Sequence, residues 1–289
     1  MTGWGSTKSS CGHGKRWACS DLLAGDLMNY QALHVEWNEG VATVWMNRPE
    51  RHNAFDEILI GELDDAFRRL DEDARTRVIV LGGRGKSFSA GADLNWMRRA
   101  AGYTFEENLR DARALAAMLR SIDRVQKPTI ARIHGPTLGG GTGLACVCNI
   151  AIATSDATFA TTEVKFGIVP ATIGPYVVRA IGERNAGRYF LTAERFDAKE
   201  AMRIGMVHEV CDADALDNRI HALTSALMVG GPKAQAEAKL LIRSLAHRAV
   251  DDDVIEDTAQ CIAKLRATSE AKEGIAAFLD KRQPDWLET

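Results

Sequence analysis

The sequence lacks an excess of either charge. Its 36 lysines and arginines stand against 39 aspartates and glutamates, a formal net charge of −3 over 289 residues. Nucleic-acid-binding domains normally carry a basic stripe, so that class of partner is excluded. Long apolar runs are missing too. Stretches such as Thr43–Met46 and Val78–Gly83 fall far short of the about 20 residues that a bilayer-spanning helix needs. The six cysteines, at positions 11, 19, 146, 148, 211 and 261, form no C-x-x-C pair and have no histidine at ligand spacing, which argues against a zinc framework and for isolated thiols in a reducing compartment. The first 27 residues are rich in glycine and serine and have no apolar segment of the kind a secretory signal requires. They read as a disordered extension upstream of Met28. Neither G-x-G-x-x-G nor a Walker loop with its Lys-Ser/Thr occurs at the glycine clusters. The expectation is a cytoplasmic protein with no metal, no separate cofactor, no nucleic acid and no membrane span.

What is present is an alternation of strands and helices. Residues 33–37 and 41–46 follow the two-residue period of half-buried strands, with Asn38-Glu39-Gly40 as the turn between them. Asp56 is placed to cap a helix whose apolar residues Ile58, Leu59, Leu63, Phe67 and Leu70 recur at helical spacing. Residues 77–83 read as a strand buried on both faces. A loop follows, then a helix from about Thr104 to Val125, a strand in Lys127–Gly135, a helix opened by Gly139, and two short extended segments in Ile150–Ala160. From about Ala213 the pattern is helical to the end. This predicts an α/β core over 28–212 and a helical module over 213–289.

Two glycine loops carry the chemistry. "SAGAD" (89–93) and "LGGG" (138–141) each follow a strand and precede a helix. Free N–H groups at such helix starts favour negative charge, and two of them converging can hold an oxyanion. Each loop by itself equally suits tight helix–strand packing. His134 stands at a strand end with no acid or nucleophile beside it in sequence, and reads as structural.

Taken together, "FSAGADL", "HGPTLGGG" and "TTEVKFGIVP", in this order and spacing, resemble the enoyl-CoA hydratase/isomerase family, the crotonase superfamily. The resemblance runs from about Leu33 to the C-terminus. It implies a spiral of β-β-α units with a C-terminal helical module that builds a homotrimer, often paired into a hexamer, and an acyl-CoA thioester as substrate. It also implies an oxyanion hole made by the N–H groups of Ala92 and Gly140, with Glu163 as acid/base. The substrate would run along Asn53, Ala54, Ser89, Ala90, Gly91, Asp93, Trp96, Met97, Gly139, Gly143 and Ala171, with Phe278 and Lys281 reaching a CoA on a neighbouring subunit. Similar hydratases have a second glutamate where this chain has Gly143, and Pro-Gly-Ala-Gly where it has Pro170-Ala171-Thr172-Ile173. The wording around Trp96, Lys165 and Tyr189 is similar to bacterial 3-methylglutaconyl-CoA hydratases and isohexenylglutaconyl-CoA hydratases. A substrate of that kind carries its own carboxylate, for which Arg98, Arg99 and Lys165 are the candidate cations and the space at Gly143 the expected seat. The resemblance thus implies hydration of such a branched enoyl-CoA with Glu163 as acid/base; double-bond isomerisation by Glu163 alone is the alternative reading, and acyl-CoA binding without turnover the second.

Overall fold

The computed structural model describes residues 28–287; the extension expected over 1–27 lies outside the described residues. Strands β1 (Leu33–Asn38) and β2 (Val41–Met46) form the predicted antiparallel hairpin. Glu39 and Gly40 turn it with φ of 46° and 82°, the left-handed pair that matches strand twist in a tight hairpin. Helix α1 (Glu57–Glu72) starts where Asp56 accepts the Leu59 N–H. Its stripe is Leu59, Ile60, Leu63, Phe67 and Leu70; Ile58, expected in that stripe, is 45% exposed, and Ile60 on the other side of Leu59 is buried instead.

Strand β3 (Val78–Gly83) is buried throughout. A short helix that the sequence pattern did not announce, α2 (Leu94–Ala100), precedes α3 (Phe105–Arg124), which opens with a capping box between Thr104 and Glu107. The chain then repeats one unit. Strand β4 (Thr129–Ile133) joins the large sheet, β5 (Pro136–Leu138) a small one, and α4 (Gly140–Val147) follows. Strands β6 (Ile150–Thr154) and β7 (Thr158–Ala160) with α5 (Gly174–Thr192) do the same. Strand β8 (Phe196–Asp197), α6 (Ala198–Arg203) and β9 (Glu209–Cys211) complete the core. The large sheet runs β1-β2-β3-β4-β6-β9, parallel after the hairpin, and the small one runs β5-β7-β8. This stacking of β-β-α turns is the expected spiral.

Alternation along β3 separates two cores. Ile79 and Leu81 face α1, α3, α4 and α5, whereas Val78 and Val80 join Ile130 and Ile152 under Leu216 and Ile220 of α7 (Leu216–Val229). Helices α8 (Pro232–Leu245), α9 (Asp252–Arg266) and α10 (Ser269–Asp280) form the rest of the helical module. α8 is hooked to the end of α3: the Lys239 ammonium donates to the carbonyls of Val125 and Lys127 at 2.6 and 2.7 Å, and Arg243 to that of Asp123 at 2.8 Å. Cations at a helix C-terminus meet both its free carbonyls and its dipole.

Candidate active site

The first glycine loop is clamped from both sides. Phe55 donates its N–H to Gly91 O at 2.7 Å and accepts the Asp93 N–H at 2.8 Å. In an extended segment successive peptide groups point in opposite directions, so the residue between, Ala92, has its N–H turned away from Phe55. On the other side Leu138 N–H donates to Ser89 O at 2.9 Å, tying the loop to β5. Gly91 has φ of 89°, and a Cβ there would stand 3.3 Å from Leu138 O, so only glycine suits this crossing. Among the described residues nothing accepts the Ala92 N–H.

The second loop leaves β5 through Gly139, at φ 50°, whose N–H donates to Ala160 O at 2.8 Å. Gly140 begins α4, and as the first helical residue it has no intrahelical acceptor. It is glycine for a packing reason: a Cβ there would stand 2.7 Å from Cε2 of the Phe55 ring. Phe55, 2% exposed, thus orients one free N–H with its backbone and underlies the other with its ring. The sequence pattern gives no signal of this role.

Glu163 starts a 3-10 turn, Glu163–Phe166, three residues beyond the end of β7. Its carboxylate lies against the second loop, with Oε1 3.3 Å from where a Gly139 Cβ would be. Oε2 is buried and has no hydrogen-bond partner. Burial pushes its proton affinity above the ordinary glutamate value, against the lowering effect of backbone N–H groups from residues 163 and 162. A buried carboxylate with one oxygen unclaimed, beside two unclaimed N–H groups, can take and return a proton while a neighbouring oxygen gains charge.

Gly143 requires a correction. The space expected beside it is filled by Ile173, which is 2% exposed. A Cβ at position 143 would stand 2.8 Å from Ile173 Cβ and closer still to Cγ2, so no substrate group can sit there. Four further expected substrate contacts are turned inward. The Asn53 side chain is fully buried and spent on Arg48 N, Arg84 O and Ser87 O. Ser89 Oγ donates to Asn53 O, and Asp93 caps α2 by accepting from Asn95 and Trp96 N–H. Ala54 is 7% exposed, with its carbonyl held by Arg48. These residues build the loops rather than line them.

Ala90 is half-buried, with its N–H given to His52 O. Trp96 and Met97 are half-buried, Trp96 Nε1 donating to Asp111 at 3.3 Å, and Ala171 is exposed. The candidate cations are all exposed: Arg98 binds Asn95, Arg99 pairs with Glu57, and Lys165 lies on the turn after Glu163. His134 Nε2 lies 2.9 Å from Gly85 O, a structural contact. Phe278, 82% exposed, and Lys281 stand at the end of α10, which packs on α8 and α9.

Arg48 is the second residue that sequence reasoning missed. Its guanidinium is 10% exposed, pairs with Asp56 at 2.7 Å, donates to Ala54 O at 3.2 Å and lies 3.9 Å from Asp93. Arg51 reaches the same Asp93 at 3.3 Å. Burial alone would raise the Asp93 carboxyl; the N–H groups of Trp96 and Asn95, with Arg51 and Arg48, outweigh it and hold the carboxyl below its ordinary value.

Residues 36–289 match the family described as Enoyl-CoA hydratase/isomerase. An enoyl-CoA hydratase from Shewanella pealeana has a similar structure, at TM-score 0.87 and 41% identity over 90% of this chain and 97% of its own. AtuE of Pseudomonas aeruginosa aligns at TM-score 0.83 and 38% identity, over 89% of this chain and 100% of its own. A crotonyl-CoA hydratase of Syntrophomonas wolfei is 30% identical over 90% of this chain and 99% of its own length. With the fold, both loops and the match over nearly the whole described chain in agreement, this protein belongs to the enoyl-CoA hydratase/isomerase family, an enzyme family of the crotonase fold.

Proposed function

We propose that this protein is an enoyl-CoA hydratase that adds water across the C2=C3 bond of a branched enoyl-CoA, 3-methylglutaconyl-CoA or isohexenylglutaconyl-CoA. The observation that carries the reading is Glu163, with its unclaimed buried Oε2 beside two loops that offer free N–H groups. Glu163 takes a proton from water as the water oxygen bonds to C3. The C2=C3 electron pair moves toward the thioester, whose oxygen gains charge between the N–H groups of Ala92 and Gly140. Glu163 then returns the proton to C2. One carboxylate on one face serves both steps, and the atoms of one water are added. Losing a single oxyanion donor generally costs about 10²–10³ in rate, which is why both loops must be held firmly.

The hydratase names of the relatives support addition of water, and the likeness of the segments around Trp96, Lys165 and Tyr189 to 3-methylglutaconyl-CoA and isohexenylglutaconyl-CoA hydratases supports the branched acyl group. The exposed apolar residues Ile242, Ile255, Ile262, Ile275, Phe278 and Leu279 on α8–α10 support self-association into the trimer or hexamer, with Phe278 and Lys281 lent to a neighbour's CoA. We place the protein in the reducing cytoplasm; no helix of the described residues is long and apolar enough to cross a membrane.

Isomerisation is the second reading, and the filling of the Gly143 site by Ile173 favours it, because shifting a double bond between C2 and C4 needs one carboxylate only. Incubation with 3-methylglutaconyl-CoA in ¹⁸O-water separates the two. A product heavier by one labelled water supports hydration, whereas an isobaric product overturns it in favour of isomerisation. A substrate recovered unchanged points to binding without turnover.

A further inference from the structure

We propose that Ile173 commits this site to chemistry by a single carboxylate and so selects its substrates, an inference that rests on the hydration reading above. Gly139 caps α4 and Gly143 lies one turn inside it, the Gly143 N–H donating to Gly139 O at 3.3 Å, so the two stand next to each other at the start of the helix. Over the first lies the Glu163 carboxylate, and over the second lies the hydrocarbon of Ile173. The helix start therefore offers two seats, one charged and one filled with carbon.

Ile173 cannot step aside. Its β-branched side chain has few χ1 choices, it is 2% exposed, and its carbonyl accepts the N–H groups of Tyr176 and Val177 at 3.0 and 3.1 Å where α5 begins. With Ile173 Cβ 2.8 Å from any Cβ at position 143, a carboxylate can enter that seat only if residue 173 shrinks. The two positions are therefore linked by space: isoleucine at 173 requires glycine at 143, and an acid at 143 requires a small residue at 173. In the first arrangement nothing across from Glu163 holds the incoming water. A plain straight-chain enoyl thioester is then a poor substrate, and one with its own polar group near C3 supplies what the protein withholds.

The test uses the full-length chain as Gly143→Glu, Ile173→Gly and the double variant, each measured for thermal midpoint and for hydration of 3-methylglutaconyl-CoA and crotonyl-CoA. Gly143→Glu alone should melt lower than the parent, and adding Ile173→Gly should restore much of that loss. The double variant should hydrate crotonyl-CoA about 10²-fold faster than the parent, the lower end of what one added acid–base group supplies. Ile173→Gly alone should show no such gain. A Gly143→Glu protein that melts with the parent overturns the steric claim, and a folded double variant with no gain on crotonyl-CoA overturns the selection claim. If the glutamate pair does not fold, Gly143→Ala with and without Ile173→Ala carries the packing test; equal losses in both backgrounds overturn it. The parent's rate on 3-methylglutaconyl-CoA reports separately on the proposed function, since a parent inactive there beside a double variant that gains on crotonyl-CoA refutes the substrate while upholding the role of Ile173.

Discussion

Replacing Arg48 with methionine removes the charge that knits three segments together while keeping most of the side chain's hydrocarbon. The guanidinium pairs with Asp56, whose side chain is 9% exposed, and lies 3.9 Å from Asp93, which is 8% exposed. Breaking a buried ion pair by deleting one partner costs about 3–5 kcal/mol, because the remaining charge is left without compensation. Here the lower end applies. Asp56 keeps the Leu59 N–H, and Asp93 keeps two N–H groups and Arg51. The expected loss is about 3 kcal/mol, measured by urea unfolding followed through tryptophan fluorescence. Activity should fall more than stability alone explains, since Asp93 is the residue directly after Ala92. A loop that loses its hold on one oxyanion donor should lose up to about 10²-fold in kcat, with KM changed far less. A variant that unfolds within about 1 kcal/mol of the parent, or one that is destabilised yet retains full kcat well below its melting temperature, refutes the reasoning.

Glu163→Gln should lower kcat by about 10²–10⁴ while raising the thermal midpoint at pH 7. The sign follows from burial: a carboxyl whose folded pKa is raised favours the protonated form, so its ionised form costs stability above the unfolded value, in full above the folded one. By the same shift, kcat/KM of the parent should fall on the acid side with a midpoint above the about 4.3 of a free glutamate. Phe55→Ala should cost about 3–5 kcal/mol as a cavity opens beneath Gly140, and turnover should drop with it; unfolding curves and kcat on the same sample check both. Lys239→Ala should cost about 1–3 kcal/mol by leaving two carbonyls without donors, seen in urea unfolding. Burial pushes this ammonium down to about 8, so the parent should gain stability relative to the variant as pH rises from about 8 toward the unfolded lysine value of about 10.4.

The hairpin, α1, β3 and the strand–glycine–helix passages were legible because each is written locally, in a two-residue period, a capping aspartate or an apolar run. Helix α2 was not. It is 7 residues long and its cap, Asp93, sits inside the glycine loop that drew attention elsewhere. Ile58 was misjudged for a related reason: helical spacing fixes a stripe only to within one residue at its edge. At the site, both glycine loops and Glu163 stood out, whereas the reasons for the glycines did not. Gly140 is small because of Phe55, and Gly143 because of Ile173, partners 85 and 30 residues away. A missing side chain in the sequence suggested a vacancy; in the fold the vacancy belongs to another residue.

Parallel pairing of β5 with β7 sets Leu138 opposite Ala160. The donor loop and the segment bearing the base therefore leave the small sheet at the same level, separated by about one strand spacing of 4.8 Å. Their mutual position is a matter of ladder register, maintained by backbone bonds that no side-chain replacement touches. Residues 161–173 leave that ladder carrying both Glu163 and Ile173, so a single segment delivers the base against Gly139 and the hydrocarbon against Gly143.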